Sequence, residues 1–152
     1  MDSISIYQQT ILEHSKNPKN FKILNPCSHS SNASNPLCGD KVVIYTNIKN
    51  SISSEITFQG AGCAISIASA SILTEVLNKK SVKESLNIVN NFIYMIENKK
   101  FNFDLIDIEE KKLLMTFSEI KKFPTRSKCA TMCWSAFNRA VGGDNYVSEK
   151  KI

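Results

Sequence analysis

The residues of this chain most able to do chemistry are its five cysteines, at positions 27, 38, 63, 129 and 133. An odd, unevenly spread set, behind an N-terminus (MDSISIYQQTILEH) with neither a basic n-region nor a cleavable apolar core, fits free thiols in a reducing compartment better than a disulfide framework. Three of the five stand at predicted element boundaries. Cys38 follows Pro36 and is separated from Asp40 by Gly39; a glycine between two ligands lets the backbone turn tightly, so that thiolate and carboxylate can face one point. Cys63 closes Gly60-Ala61-Gly62-Cys63 where a helix is expected to begin, and the unpaired N–H groups of a helix start favour a thiolate. Cys129 follows Arg126 and Lys128 and is expected to open the last helix, a positive setting that lowers the pKa of a thiol.

Three thiolates and one carboxylate suit zinc, which takes four tetrahedral S, N or O ligands without geometric demands of its own. No Cys-x-x-Cys pair is present, so the pattern is not that of a zinc ribbon or finger. The competing reading makes each cysteine a small buried hydrophobe. Cys133, beside Trp134, is expected to be buried in that way, although at i+4 from Cys129 it could share a metal-facing side. Cys27 reads as an exposed loop thiol, with a contribution from Cys27 and His29 to a metal as the rival. His14, at the end of the first helix, sits where a cation or a capping donor is favourable, and His29 reads as solvated. Gly-x-Ser-x-Gly, a phosphate-binding glycine loop and His-Glu-x-x-His are all absent, and Glu109-Glu110 forms no recognisable paired-carboxylate site.

These residues must be positioned by the surrounding elements. Ile4, Tyr7, Ile11 and Leu12 recur at helical spacing from Ser3 to His14, with Ser3 available as N-cap. Residues 17 to 35 are rich in Asn, Pro and Ser and read as a long irregular connection, of the kind that usually serves a site. Lys41 to Asn47 and Ser54 to Phe58 are rich in β-branched and aromatic residues and predict an antiparallel hairpin turning near Asn50-Ser51. Cys63 to Leu77 is small and apolar on most sides, which predicts a closely packed helix. Ser81 and Glu84 form a capping box ahead of an apolar stripe at Leu86, Val89, Ile93 and Ile96. Further helices are expected over Asp107 to Phe117 and Cys129 to Ala140, the latter ended by Gly142-Gly143. This order predicts an α+β fold, a small antiparallel sheet with helices packed mainly on one face.

A chain of 152 residues with 42% hydrophobic content suits one domain spanning residues 1 to 152. The net charge of +5 comes from dispersed lysine pairs such as Lys79-Lys80 and Lys121-Lys122, without aromatic interleaving, so solvated helix faces are expected and nucleic acid is not. No uninterrupted apolar stretch of membrane-spanning length occurs, which leads to the expectation of a cytoplasmic protein without a membrane partner.

Four motifs, in order, carry a family resemblance: Tyr7-x-x-x-Ile11-Leu12-Glu13-His14 with Asn17-Pro18-Lys19-Asn20; Asn35-Pro36-Leu37-Cys38-Gly39-Asp40; Gly60-Ala61-Gly62-Cys63-Ala64-Ile65-Ser66 with Ala68-Ser69-Ala70-Ser71; and Lys122-Phe123-Pro124 with Arg126-x-Lys128-Cys129-Ala130-Thr131 and Trp134. Over nearly the whole chain the sequence resembles the NifU N-terminal/IscU-like iron–sulfur cluster assembly scaffolds. Within them it is similar to the SufU branch, because Lys128 stands where IscU-type scaffolds have a histidine before the third cysteine, and the stretch around residues 98 to 118 is longer. The resemblance implies the SufE/NifU-like fold and a zinc-dependent sulfurtransferase that accepts persulfide sulfur from a SufS-type cysteine desulfurase and passes it to downstream iron–sulfur assembly proteins. It implies Zn2+ held by Cys38, Asp40, Cys63 and Cys129, with Cys38 as sulfur acceptor and Arg126 supporting the site or the partner. The alternative is a scaffold that assembles a transient [2Fe–2S] cluster on the same ligands. Cys133 departs from the family pattern, standing where a small alanine-like residue is common.

Overall fold

The computed structural model describes residues 3–143, with side chains described from Ile6 onward, so the expected roles of Ser3 and Ile4 lie outside the described side chains. Three strands, β1 (His29–Asn35), β2 (Asp40–Lys49) and β3 (Ile52–Ala61), form one antiparallel sheet in sequential order. The β2–β3 hairpin turns at Asn50 and Ser51, both left-handed with φ of 52° and 65°, a geometry that matches the twist of the flanking strands. Both strands outrun the hairpin expected from sequence.

β1 is a correction to the irregular connection expected over residues 17 to 35. Its sequence, His-Ser-Ser-Asn-Ala-Ser-Asn, has no β-branched or aromatic residue, and only Ala33 and Asn35 are buried. Pairing along the edge of β2, from His29 opposite Thr46 to Asn35 opposite Asp40, makes it a strand where its own propensity does not.

Alternation then sorts the sheet. Ala33 pairs with Val42, Ile44 with Phe58 and Thr46 with Ile56, so these residues share one face and all are buried. Of the helices α1 (Ser3–Lys16), α2 (Ala64–Leu77), α3 (Val82–Ile96), α4 (Ile108–Met115) and α5 (Pro124–Asn138), the last continuing into a wider turn over Arg139–Gly143, α2 and α5 pack on the sheet, with α1 and α4 against α2 and α3 against α5. α2 runs through the middle with Ala68, Ala70, Ile72, Leu73, Val76 and Leu77 fully buried, and its small residues let neighbours approach closely. Trp134 on α5 stacks on Phe92 of α3 at 4.2 Å between ring centroids, and Phe92 meets Phe117 edge-on at 5.8 Å. The Ser81–Glu84 capping box forms as expected, and a second one, Asp107–Glu110, opens α4.

His14 is not the helix-end cation or cap that its position suggests. α1 runs on to Lys16, and His14 turns inward to hydrogen-bond through Nδ1 with Ser71 Oγ on α2 at 2.7 Å. Burial lowers its pKa, against the pull of Glu75, whose carboxylate lies 3.9 Å from Nε2. No helix among the described residues is long and apolar enough to cross a membrane.

Candidate metal centre

The sheet's buried face ends in two polar residues. Asn35 closes β1 and Asp40 opens β2 as a register pair, 1% and 2% exposed, so both continue the row of core side chains. Between them the chain makes a tight turn in which the Cys38 N–H donates to the Asn35 carbonyl oxygen at 3.0 Å and Gly39 takes a φ of +72°. That left-handed step is inexpensive only for glycine, and it separates an exposed Cys38 from a buried Asp40.

Cys129 reaches the same point from α5. The helix starts at Pro124, so Cys129 lies in its second turn rather than at its first residue, and it is 1% exposed. The Cys129 thiol donates to Asp40 Oδ2 at 3.2 Å and lies 3.7 Å from the Cys38 sulfur. Ligand atoms of Cys38, Asp40 and Cys129 all fall within 4.8 Å of one another. Two sulfurs and a carboxylate oxygen so gathered are a donor set that zinc accepts.

The electrostatics correct one expectation. Burial, and next the Asp40 carboxylate, push the Cys129 thiol up to about 12, so the nearby cations do not lower it in the metal-free chain. Asp40 goes the other way: burial alone would raise its carboxyl, yet hydrogen bonds from Ser66, Cys129 and the Cys63 N–H outweigh burial and hold it below the usual carboxylate range. Ser66 Oγ donates to Asp40 Oδ2 at 2.5 Å and the Cys63 N–H to Oδ1 at 3.0 Å. A bound divalent cation would take over the role these donors share, by stabilising both anions.

Cys63 stands just before α2 as expected, half-buried, and lies outside the tight group of three. Its sulfur is 3.6 Å from Ser66 Oγ, while its backbone anchors Asp40. Gly62 makes that anchoring possible, because a Cβ there would stand 2.9 Å from the Asp40 Cγ. Arg126 is exposed in the first turn of α5 and lines, with Leu12, Cys63 and Phe123, an open groove beside the site.

Cys133 is fully buried, as expected of a core thiol, and burial pushes it up to about 12. It faces Ser69 Oγ at 3.6 Å instead of the metal group. Cys27 is half-buried rather than exposed, and neither it nor His29 joins the cluster; His29 lies at half exposure against Ser28. Spacing assigned no role to Asn35 or Ser66. Their signals were modest: Asn35 is the partner of Asp40 across the predicted turn, and Ser66 is three residues beyond Cys63 in a helix start.

Comparison with known proteins extends the geometry. Residues 6–130 match the NifU-like N terminal domain family. The chain is 36% identical over 137 residues to the zinc-dependent sulfurtransferase SufU of Bacillus subtilis, covering 90% of each. It is 31% identical over 136 residues to the iron–sulfur cluster assembly scaffold protein IscU of Streptococcus pyogenes, covering 90% of this chain and 82% of the other. Among solved structures, a putative iron–sulfur cluster assembly scaffold protein for the SUF system from Fervidobacterium islandicum superposes with a TM-score of 0.80 at 28% identity, over 92% of this chain and 99% of that one. With its cysteines and aspartate gathered at one end of this three-stranded α+β fold, the chain belongs to the NifU-like N-terminal domain family of iron–sulfur cluster assembly proteins.

Proposed function

We propose that this protein is a zinc-dependent sulfurtransferase of iron–sulfur cluster assembly, working in the cytoplasm, that takes persulfide sulfur from a SufS-type cysteine desulfurase and hands it to downstream assembly proteins. One observation carries the reading. Cys38 is exposed, while the two groups that face it, Asp40 and Cys129, are buried. A donor approaching from solvent therefore meets the Cys38 sulfur first. The similarity to a Bacillus relative named as a zinc-dependent sulfurtransferase supports the same reading.

Cys38, Asp40, Cys63 and Cys129 would hold the zinc, Cys63 by turning its sulfur from Ser66 toward the other three. Zinc keeps a thiolate deprotonated, is itself redox-inert, and masks the sulfur until a ligand is exchanged. Released Cys38 attacks the outer sulfur of the donor persulfide; the donor cysteine leaves as thiolate, and Cys38 carries the new persulfide. No net oxidation occurs. Arg126, exposed in the groove that Cys63 also lines, would support the site or the docked partner.

Purified protein is expected to hold about one zinc per chain, as a four-ligand site does. It should stimulate a SufS-type desulfurase and gain a sulfur adduct on Cys38 by mass spectrometry. Full stimulation by Cys38→Ala would remove Cys38 from the acceptor role. The similarity to a Streptococcus relative named as a scaffold favours a second reading, in which the same residues hold a transient [2Fe–2S] cluster. Anaerobic reconstitution followed by transfer to an apo-acceptor separates the two, because only a scaffold delivers an intact cluster.

A further inference from the structure

We propose that Asn35 is the positioning residue of this centre: its side-chain amide donates to both the Cys129 and the Cys38 sulfurs, setting their electron density and anchoring Cys129 more firmly than Cys38. The inference rests on the metal-centre reading above, and goes beyond it by assigning a residue that ligates nothing.

The orientation of the amide is fixed by the chain itself. The Leu37 N–H donates to Asn35 Oδ1 at 3.2 Å, so Nδ2 must be the atom turned toward the sulfurs. Nδ2 stands 3.2 Å from Cys129 Sγ and 3.8 Å from Cys38 Sγ. An amide nitrogen carries two hydrogens, one for each sulfur. With Asn35 only 1% exposed, water is not available to satisfy that donor, and the two sulfurs are the partners it finds. Hydrogen bonds from outside the ligand set orient metal ligands and draw charge from them.

The unequal distances matter for sulfur transfer. Cys129 is buried in a helix and receives the short contact, whereas Cys38 is exposed, sits in a turn beside Gly39, and receives the long one. The amide thus pins the inner sulfur and leaves the outer one free to depart. Asn35 is set to this task by register, since its pairing with Asp40 turns it to the same face as the carboxylate.

The test compares the wild-type protein with Asn35→Ala and Asn35→Ser, loaded with Zn2+ or Co2+. A serine at this position can still accept from the N–H two residues on and so close the turn, but its hydroxyl is too short to reach both sulfurs. In both variants zinc affinity, measured by chelator competition, is expected to fall about 10–100-fold. The sulfur-to-cobalt charge-transfer band is expected to move to longer wavelength, because a sulfur without its donor gives up an electron more easily. The ligand-field bands, which report four-coordinate geometry, should stay in place. A fixed charge-transfer band in Asn35→Ser, or a loss of affinity in Asn35→Ala alone, would reduce Asn35 to a loop-closing residue and overturn the proposal. Failure of the wild-type protein to bind either metal would instead overturn the metal-centre reading, and the role of Asn35 with it.

Discussion

Gly62→Ala places a methyl carbon 2.9 Å from the Asp40 Cγ and 3.0 Å from its Oδ1, the end of a buried side chain held by three hydrogen-bond donors. Carbon atoms settle at about 3.5–4.0 Å, so the carboxylate must retreat by roughly half an ångström or more. Its three donors, Ser66 Oγ at 2.5 Å, the Cys63 N–H at 3.0 Å and the Cys129 thiol at 3.2 Å, cannot all follow, because the first two sit at the start of α2 and the third on α5. Losing one hydrogen bond to a charged group costs about 1.5–3 kcal/mol. Restricting the unfolded chain offsets about 0.4–1 kcal/mol of that. The expected net destabilisation of the metal-free protein is about 1–2 kcal/mol, read from urea unfolding in chelator. Zinc affinity should fall about tenfold or more, since the aspartate has moved. Gly39→Ala is the control: φ is +72° but nothing lies within 4 Å of the added carbon, so it carries only backbone strain of about 1–2 kcal/mol and leaves the Asp40 bonds in place. Unchanged zinc affinity in Gly62→Ala, or an equal loss in both variants, would refute the crowding argument.

Two further outcomes follow from the helical layer. Because burial lowers the His14 pKa below its ordinary 6.5, the unfolded chain binds the proton more readily, so stability is full above about pH 6.5 and declines as the pH falls toward the folded value; urea midpoints at pH 7.5 and 5.5 should show this slope, and His14→Gln should flatten it. Glu75, Glu13 and Lys19 are the charges facing that ring, and an unaltered slope in His14→Gln would assign the titration elsewhere. Ser69 Oγ accepts from Trp134 Nε1 at 2.9 Å and donates to the Ala130 carbonyl at 2.5 Å, so Ser69→Ala strands a buried indole N–H and should cost about 1–3 kcal/mol by Trp fluorescence in urea while metal binding persists.

Much of this was legible in the residues. The hairpin, the capping box at Ser81 and the closely packed helix after Cys63 follow from periodicity and local chemistry, which act within a few residues. β1 was hidden because a strand of Ser, Asn and Ala has no hydrophobic signal, and its partner edge supplies what its composition lacks. The start of α5 precedes the expected Cys129 for a related reason: Pro124 is a good first helical residue, but the polar turn Pro-Thr-Arg-Ser-Lys masks it, and this turn carries Cys129 into the core. The contributions of Asn35 and Ser66 are tertiary, made by contacts across 94 and 26 residues of sequence. Spacing along a chain does not report such distances.

The alternation that lines up Ala33, Val42 and Ile44 in the core also turns Asn35 and Asp40 inward at its end. A slip of one residue between β1 and β2 would put Ala33 and Asn35 on the opposite face of the sheet from Val42, Ile44 and Asp40. A misregistered chain would therefore lose part of its oily interior and break up the inward Asn35–Asp40 pair in one stroke. On the proposed reading of the centre, metal retention would then report correct strand register, a check on folding obtained from the pleat itself.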